Sequence, residues 1–171
     1  MKIINNILPK LTNFEICTYL LDAAIWRPTF DKKLNWKETL EHPNQGFCLE
    51  SFRDGFLNNP QHSEYLNTFA KIILNRFTEE SNFQKWRIER FWWNYYNPSA
   101  ITNLHQDDHR ENYYSIIYNV LASDGGTEID GVFYPDVLGQ GKMFKSSLFH
   151  KGKTPVKSFV RLNLNIIFEV L

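Results

Sequence analysis

The sequence predicts a mainly β chain with N-terminal helices, the β part folded as a jelly roll. Two observations carry this. From residue 83 onward, short apolar runs alternate with Gly, Pro and Asp turn residues, and their spacing suits a double-layered sheet, not a parallel one. Aromatic residues make up 16% of the chain, with 14 Phe, 8 Tyr and 5 Trp, and such rings suit broad pleated surfaces and deep pockets more than slim helical bundles.

Size and charge bound what this fold can do. A chain of 171 residues suits one domain over 1–171, with residues 1–82 as helical support and lid region and 83–171 as the jelly-roll core. Area scaling lets such a chain bury about 70% of its unfolded surface, enough for a core without staples. Nineteen basic and nineteen acidic residues cancel, so general nucleic-acid binding, which needs a basic surplus, is not expected. Cys17 and Cys48 are too few for a zinc finger or a disulfide framework and read as free thiols in a reducing compartment. The opening MKIINNILPK is too interrupted for a signal peptide, and no long apolar run predicts a membrane span, so a cytoplasmic location is expected. Nothing in the sequence specifies an oligomeric state.

The elements follow in order. Thr12-Asn13-Phe14-Glu15 matches a capping box, and Phe14, Cys17, Leu20, Leu21 and Ala24 recur at helical spacing behind it. A second helix is expected over 63–79, with Leu66, Phe69, Ile73 and Phe77 on one stripe after the Asn58-Asn59-Pro60 punctuation. Residues 27–46 between the helices read as a long polar loop; loops of that length tend to be lids or binding loops, and Trp26, Phe30, Trp36 and Phe47 in or beside it suit a cover. Strands are expected at 85–96, 103–107, 113–121, 127–134, 142–145, 147–150 and 158–170.

Chemistry concentrates in the β half. Of five histidines, His105 stands two residues before Asp107, so on an extended strand both side chains point to one face. His150, at the end of a later apolar run, can complete a 2-His-1-carboxylate triad, the facial site of non-haem iron(II) oxygenases, which leaves adjacent coordination positions open. A surface turn with a hydrogen-bonded His and Asp is the plainer reading of the dipeptide alone. Arg161 opens the last strand, where it shares one face with Asn163 and Asn165 while Leu162, Leu164, Ile166 and Phe168 share the other. An inward Arg needs an anion, either a ligand or a salt-bridging carboxylate. Lys142, Lys145, Lys151, Lys153, Lys157 and Arg161 face only Asp136 among acids over 136–161, which reads as a rim for an anionic substrate or as a solvated edge. Asp107-Asp108-His109 offers a second spacing; no Glu stands where a helical zinc motif needs its base, so His109 reads as a rim residue and Asp108 as facing away from the metal.

Taken together, these residues resemble the Fe(II)- and 2-oxoglutarate-dependent oxygenases, in particular their prolyl-4-hydroxylase-like branch. The resemblance runs through Asn94-Tyr95-Tyr96, His105-Gln106-Asp107, Tyr113-Tyr114-Ser115-Ile116-Ile117-Tyr118, Gly125-Gly126-Thr127-Glu128, Gly141-Lys142-Met143-Phe144, His150 and Arg161. It implies a double-stranded β-helix in which His105, Asp107 and His150 bind iron and Arg161 clasps the far carboxylate of 2-oxoglutarate. Tyr95 or Tyr96 would contact the cosubstrate, with Tyr118, Asn119 and Asn163 as lesser candidates. The Thr127-Glu128 order and the Arg161-Leu162-Asn163 run depart from many relatives, which bears on cosubstrate orientation.

The implied reaction is hydroxylation of a substrate C–H bond, peptidyl-prolyl or small-molecule, with O2 consumed, succinate and CO2 released, and ascorbate as a supporting reductant. Two other readings stay open: a non-catalytic jelly roll that binds a ligand, and a cupin-like metal enzyme that uses no 2-oxoglutarate.

Overall fold

Alternating side chains along residues 86–96 and 161–170 make the two longest strands, and in the computed structural model these pair antiparallel along their length. The structure describes residues 1–24, 26–28, 46–53, 56–57, 60–98, 100 and 102–171. Its elements are β1 (Lys2–Ile4), α1 (Lys10–Asp22), β2 (Arg27–Pro28), β3 (Phe47–Arg53), β4 (Phe56–Leu57), α2 (Pro60–Glu80), β5 (Trp86–Tyr96), β6 (Tyr113–Asn119), β7 (Ser123–Ile129), β8 (Val132–Asp136), β9 (Gly141–Lys145), β10 (His150–Lys153) and β11 (Arg161–Val170).

The strands form two sheets. The main sheet runs β1-β9-β6-β11-β5-β3-β2 with β4 paired to β3, and the minor sheet runs β10-β7-β8. Every pairing is antiparallel, as a jelly roll requires. One face of the main sheet carries Phe91, Trp93, Tyr118, Met143, Leu162, Leu164, Ile166 and Phe168, which pack with helix residues in the larger core. There α2 buries Leu66, Ala70, Ile73, Leu74 and Phe77, all without solvent exposure; each large apolar side chain so buried contributes about 1.5–3 kcal/mol. On the other face Ile117 and Phe144 of the main sheet meet Ile129 of the minor sheet in a smaller cluster. The space between the sheets therefore has an apolar plug at one end, and the site lies beside it.

Several local expectations are corrected. Helix α1 begins at Lys10, two residues before the capping box, and Pro9 caps it without a side-chain hydrogen bond. Its buried residues are Asn13, Ile16 and Leu20, whereas Phe14 and Leu21 are exposed. A polar anchor turned the helix: Asn13 Nδ2 donates to Leu8 O and Pro9 O, and its Oδ1 accepts from the Tyr118 hydroxyl at 2.6 Å. The run 127–134 is a hairpin, not one strand, because Asp130 and Gly131 both take positive φ, 49° and 76°. Residues 103–107 make a single bridge at His105 in place of a strand, and 147–150 is a turn from which β10 starts. The first 82 residues also supply β1 to β4 to the main sheet, beyond helical support. Most of the expected lid, 29–45, lies outside the described residues.

Candidate active site

Strand pairing brings two polar rows together. In the β5–β11 ladder Arg161 faces Tyr96, Asn163 faces Asn94 and Asn165 faces Trp92. All six line a cavity of about 370 Å³ between the sheets, together with Arg90, His105, Asp107, Thr127 and His150, a size suited to a small ligand. Asn94 Nδ2 donates to Asn163 Oδ1 at 3.0 Å and ties the rows to each other.

The histidines and Asp107 arrive from two directions. His105 N donates to His150 O at 2.9 Å and His150 N donates to His105 O at 2.8 Å, so the short bridge sets both rings side by side, 4.3 Å between centroids. Asp107 is held by its main-chain N–H, which donates to Ser146 O at 3.0 Å. One ligand atom from each of the three residues lies within 4.8 Å of the others.

Each ring has its Nδ1 on a main-chain carbonyl, Asn103 O at 2.9 Å for His105 and Leu148 O at 3.1 Å for His150. A ring that donates from Nδ1 presents a lone pair at Nε2, as a metal ligand must. Both Nε2 atoms point at the Asp107 carboxylate, at 3.7 Å and 3.4 Å, and His150 Nε2 is buried without a hydrogen-bond partner. Two imidazoles and a carboxylate converging with an orphaned nitrogen fit a divalent transition metal such as iron.

Asp107 is otherwise well supplied. Ser115 Oγ donates to Oδ2 at 2.7 Å, Asn165 Nδ2 reaches the same oxygen at 3.4 Å, and Arg90 Nη2 reaches Oδ1 at 3.3 Å. Burial works to raise this carboxyl, but His150, Arg90 and Ser115 outweigh it and hold it well below the usual carboxylate range. At His150 burial works to lower the imidazole, and Asp107 outweighs it in the opposite direction. Arg90 stacks on the Trp92 ring at 4.4 Å, and burial lowers its guanidinium.

Arg161 is 2% exposed and meets an internal anion. Its Nε donates to Asp136 Oδ2 at 2.6 Å, and its Nη2 donates to Asp136 Oδ1 at 3.3 Å and to Thr127 Oγ1 at 2.8 Å. The Tyr96 ring lies 5.4 Å from the guanidinium carbon. Glycines let the minor sheet come this close: a Cβ at Gly152 would sit 3.0 Å from Arg161 Nη1, and one at Gly125 would sit 2.6 Å from Lys153 O.

Of the residues singled out in the sequence, His105, Asp107, His150, Tyr96, Arg161 and Asn163 share this cavity. Tyr95 lies on the opposite face, its ring against Trp26 and Phe47, and Tyr118 points into the helix-side core. Asn119 sits behind the cavity and contacts Asp136 instead. Asp108 turns away and pairs with Arg110 at 2.6 Å.

The basic stretch is no single rim. Lys142 is buried, Lys151 and Lys153 pair with Glu128, and Lys145 bonds Glu111 O. Arg90 and Trp92 carry no sequence expectation, and Asn94, Ser115 and Asp136 stand in the sequence reading without a role in the site. The β5 trio was within reach, since alternation from Tyr96 puts Asn94, Trp92 and Arg90 on its face. Asp136 comes from another sheet, and in the sequence it stands out only as the lone acid of the basic stretch, which does not pair it with Arg161.

Comparison with known proteins rests on structure. No family model matches the chain, and no curated protein matches it in sequence. Solved structures do. A 2OG-Fe(II) oxygenase family oxidoreductase from Burkholderia pseudomallei aligns with TM-score 0.72 at 11% identity, covering 99% of this chain and 84% of that one. A Trichoplax adhaerens prolyl hydroxylase, solved with a hypoxia inducible factor peptide fragment, aligns with TM-score 0.71 at 11% identity over 99% and 83%. The epimerase SnoN in complex with Fe3+, alpha ketoglutarate and nogalamycin RO aligns with TM-score 0.70 at 8% identity over 98% and 77%. With a helix-backed main sheet, a three-stranded minor sheet and a polar cavity between them, the chain has the double-stranded β-helix fold of the 2-oxoglutarate- and Fe(II)-dependent oxygenases, prolyl hydroxylases among them.

Proposed function

We propose that the protein is an Fe(II)- and 2-oxoglutarate-dependent dioxygenase that hydroxylates a C–H bond of a small-molecule or peptidyl substrate. The observation that carries this reading is the convergence of His105, Asp107 and His150, each already oriented by its own hydrogen bonds, in a cavity that Arg161 also lines. His105 Nε2, His150 Nε2 and an Asp107 oxygen would hold the iron. When bound, iron and the 2-oxo acid supply the oxidising chemistry, with succinate and CO2 as co-products.

The chain's own residues supply position and exclusion. Arg161 and Thr127 receive the distal carboxylate, and the Tyr96 ring covers the guanidinium and keeps water from it. Asn94, Asn163 and Asn165 line the floor with amides that can orient a polar ligand without charge. Arg90 and Ser115 keep Asp107 ionised and fixed in direction, so the metal meets a ligand that needs no rearrangement. A peptidyl-prolyl substrate is one member of the class; the relatives with this fold include both a prolyl hydroxylase and a small-molecule epimerase.

Succinate release from 2-oxoglutarate in the presence of Fe(II) and ascorbate, with no prime substrate added, tests the reading. Turnover that disappears in Asp107→Ala supports it. Metal binding without any 2-oxoglutarate turnover or binding favours the second reading, a metal enzyme of another kind, to which the Arg161–Asp136 pair lends support because that guanidinium already has a carboxylate.

A further inference from the structure

We propose that Lys142 sets the charge of the anion anchor, so that a carboxylate at the Arg161 end of the cavity is bound by a buried cluster of two cations and one anion and not by Arg161 alone. The inference rests on the 2-oxoglutarate reading and deepens it.

Lys142 lies on β9, where alternation sends Met143 to the helix-side core and Phe144 to the space between the sheets. Lys142 follows Phe144 and has no solvent exposure. Its ammonium is the start of a chain of contacts. With the Asn119 amide turned so that its oxygen meets donors and its nitrogen an acceptor, Lys142 Nζ donates to Asn119 Oδ1 at 2.8 Å, and Asn119 Nδ2 donates to Asp136 Oδ1 at 3.0 Å. Asp136 Oδ2 accepts from Ser123 Oγ at 2.7 Å and from Arg161 Nε at 2.6 Å. The residues thus run Lys142–Asn119–Asp136–Arg161, through three strands of the main sheet and one of the minor sheet.

Charge counting follows from that chain. Lys142 and Arg161 carry two positive charges and Asp136 one negative, with none of the three more than 5% exposed. Asp136 from β8 and Arg161 from β11 are the charged groups acting on Lys142 among the described residues; β6 contributes the neutral Asn119. A buried excess charge is costly until an anion arrives. Of these four residues Arg161 alone lines the cavity, beside its partner Thr127, so the anion must enter there.

Lys142 cannot touch that ligand, which makes it a positioning residue acting through Asp136. With Lys142 charged, Asp136 is shared between two cations and Arg161 keeps net positive character for the ligand. With Lys142 neutral, Arg161 and Asp136 form a closed neutral pair. Burial, the largest cause, pulls the Lys142 ammonium down to about 8, against the attraction of Asp136. The anchor therefore changes charge close to physiological pH, and an arriving carboxylate favours its protonated form.

The test titrates 2-oxoglutarate into the Mn(II)-loaded protein by anaerobic calorimetry at pH 7 and pH 9, in buffers of different ionisation enthalpy. Wild type should bind roughly tenfold more weakly at pH 9 and take up a proton on binding near pH 8. Lys142→Met keeps the apolar stem and should bind roughly tenfold more weakly at pH 7, with little further change to pH 9 and unaltered Mn(II) affinity. Lys142→Arg carries a fixed charge and should bind tightly at both pH values. Wild-type affinity that is flat from pH 7 to pH 9 without proton uptake overturns the inference even if neither variant folds. So does Lys142→Met that keeps wild-type affinity and pH dependence. No 2-oxoglutarate binding by wild type at either pH removes the cosubstrate reading itself, and this inference with it.

Discussion

His105 and His150 exchange a reciprocal pair of main-chain hydrogen bonds, at 2.9 Å and 2.8 Å, so the two rings of the candidate metal site are placed by backbone and not by each other's side chains. The bridge survives truncation of either ring. His105→Ala should therefore fold with nearly unchanged stability, since its side chain is half exposed. His150→Ala, buried against Phe144, should cost about 1–3 kcal/mol. Both, and Asp107→Ala, should lose most Mn(II) affinity in a calorimetric titration, while His109→Ala should keep it. Full affinity in both histidine variants would dismantle the triad.

Arg161 and Asp136 form a buried pair, and removing one partner strands the other. Arg161→Ala should destabilise the fold by about 3–5 kcal/mol, and the double variant Arg161→Ala/Asp136→Ala by clearly less than the sum of the singles. Urea denaturation of all four proteins measures this. Additive losses would mean that the pair contributes no coupling.

Tyr118 donates its buried hydroxyl to Asn13, and burial pushes that hydroxyl up to about 12, against about 10 in an unfolded chain. Folding favours the protonated phenol, so this contribution is complete below pH 10 and fades as the pH climbs towards 12. Stability measured from pH 9 to pH 12 should fall less steeply in Tyr118→Phe than in wild type. Asn13→Leu leaves the hydroxyl without its acceptor and should cost about 1–3 kcal/mol.

Asp124 binds the segment leading into the last strand: its carboxylate accepts main-chain N–H groups of Val156, Lys157 and Ser158 at 2.7–3.0 Å. Those bonds hold the carboxyl well below the usual range, so the clasp persists through mildly acidic pH and fails only when that group is finally protonated. Asp124→Ala should speed tryptic cleavage after Lys157 at neutral pH, and a cleavage rate equal to wild type would argue that the segment is held from elsewhere.

Alternation and turn chemistry made much of this legible. The two faces of β11 read correctly because Leu162, Leu164, Ile166 and Phe168 alternate without interruption against Arg161, Asn163 and Asn165. The hairpin at Asp130-Gly131 was missed although Asp-Gly is a strong turn signal, because the apolar run on either side reads as continuous. Gly125 and Gly126 read as a turn but lie inside β7, where their lack of a Cβ admits Lys153 O and the Phe133 ring. Helix α1 offers the stripe of Phe14, Cys17, Leu20, Leu21 and Ala24, and a buried Asn turns it instead onto a face with Asn13, Ile16 and Leu20 that hydrophobicity alone would reject. The Asp136 partner of Arg161 and the Ser115 and Ser146 support of the metal site come from strands and turns distant in sequence, which local pattern does not encode.

The order of the main sheet has a consequence for how the chain acquires this site. β1, at residues 2–4, pairs with β9, and β5 gains its central neighbour only from the last strand. High contact order of this kind slows folding, because distant segments must meet before either is rewarded. During synthesis the His105 side of the metal site has no partner until His150 emerges, and Lys142 and Asp136 wait for Arg161. An incomplete chain thus exposes scattered side chains and no pocket, so that a metal held by the proposed triad would be captured as one of the last events of folding.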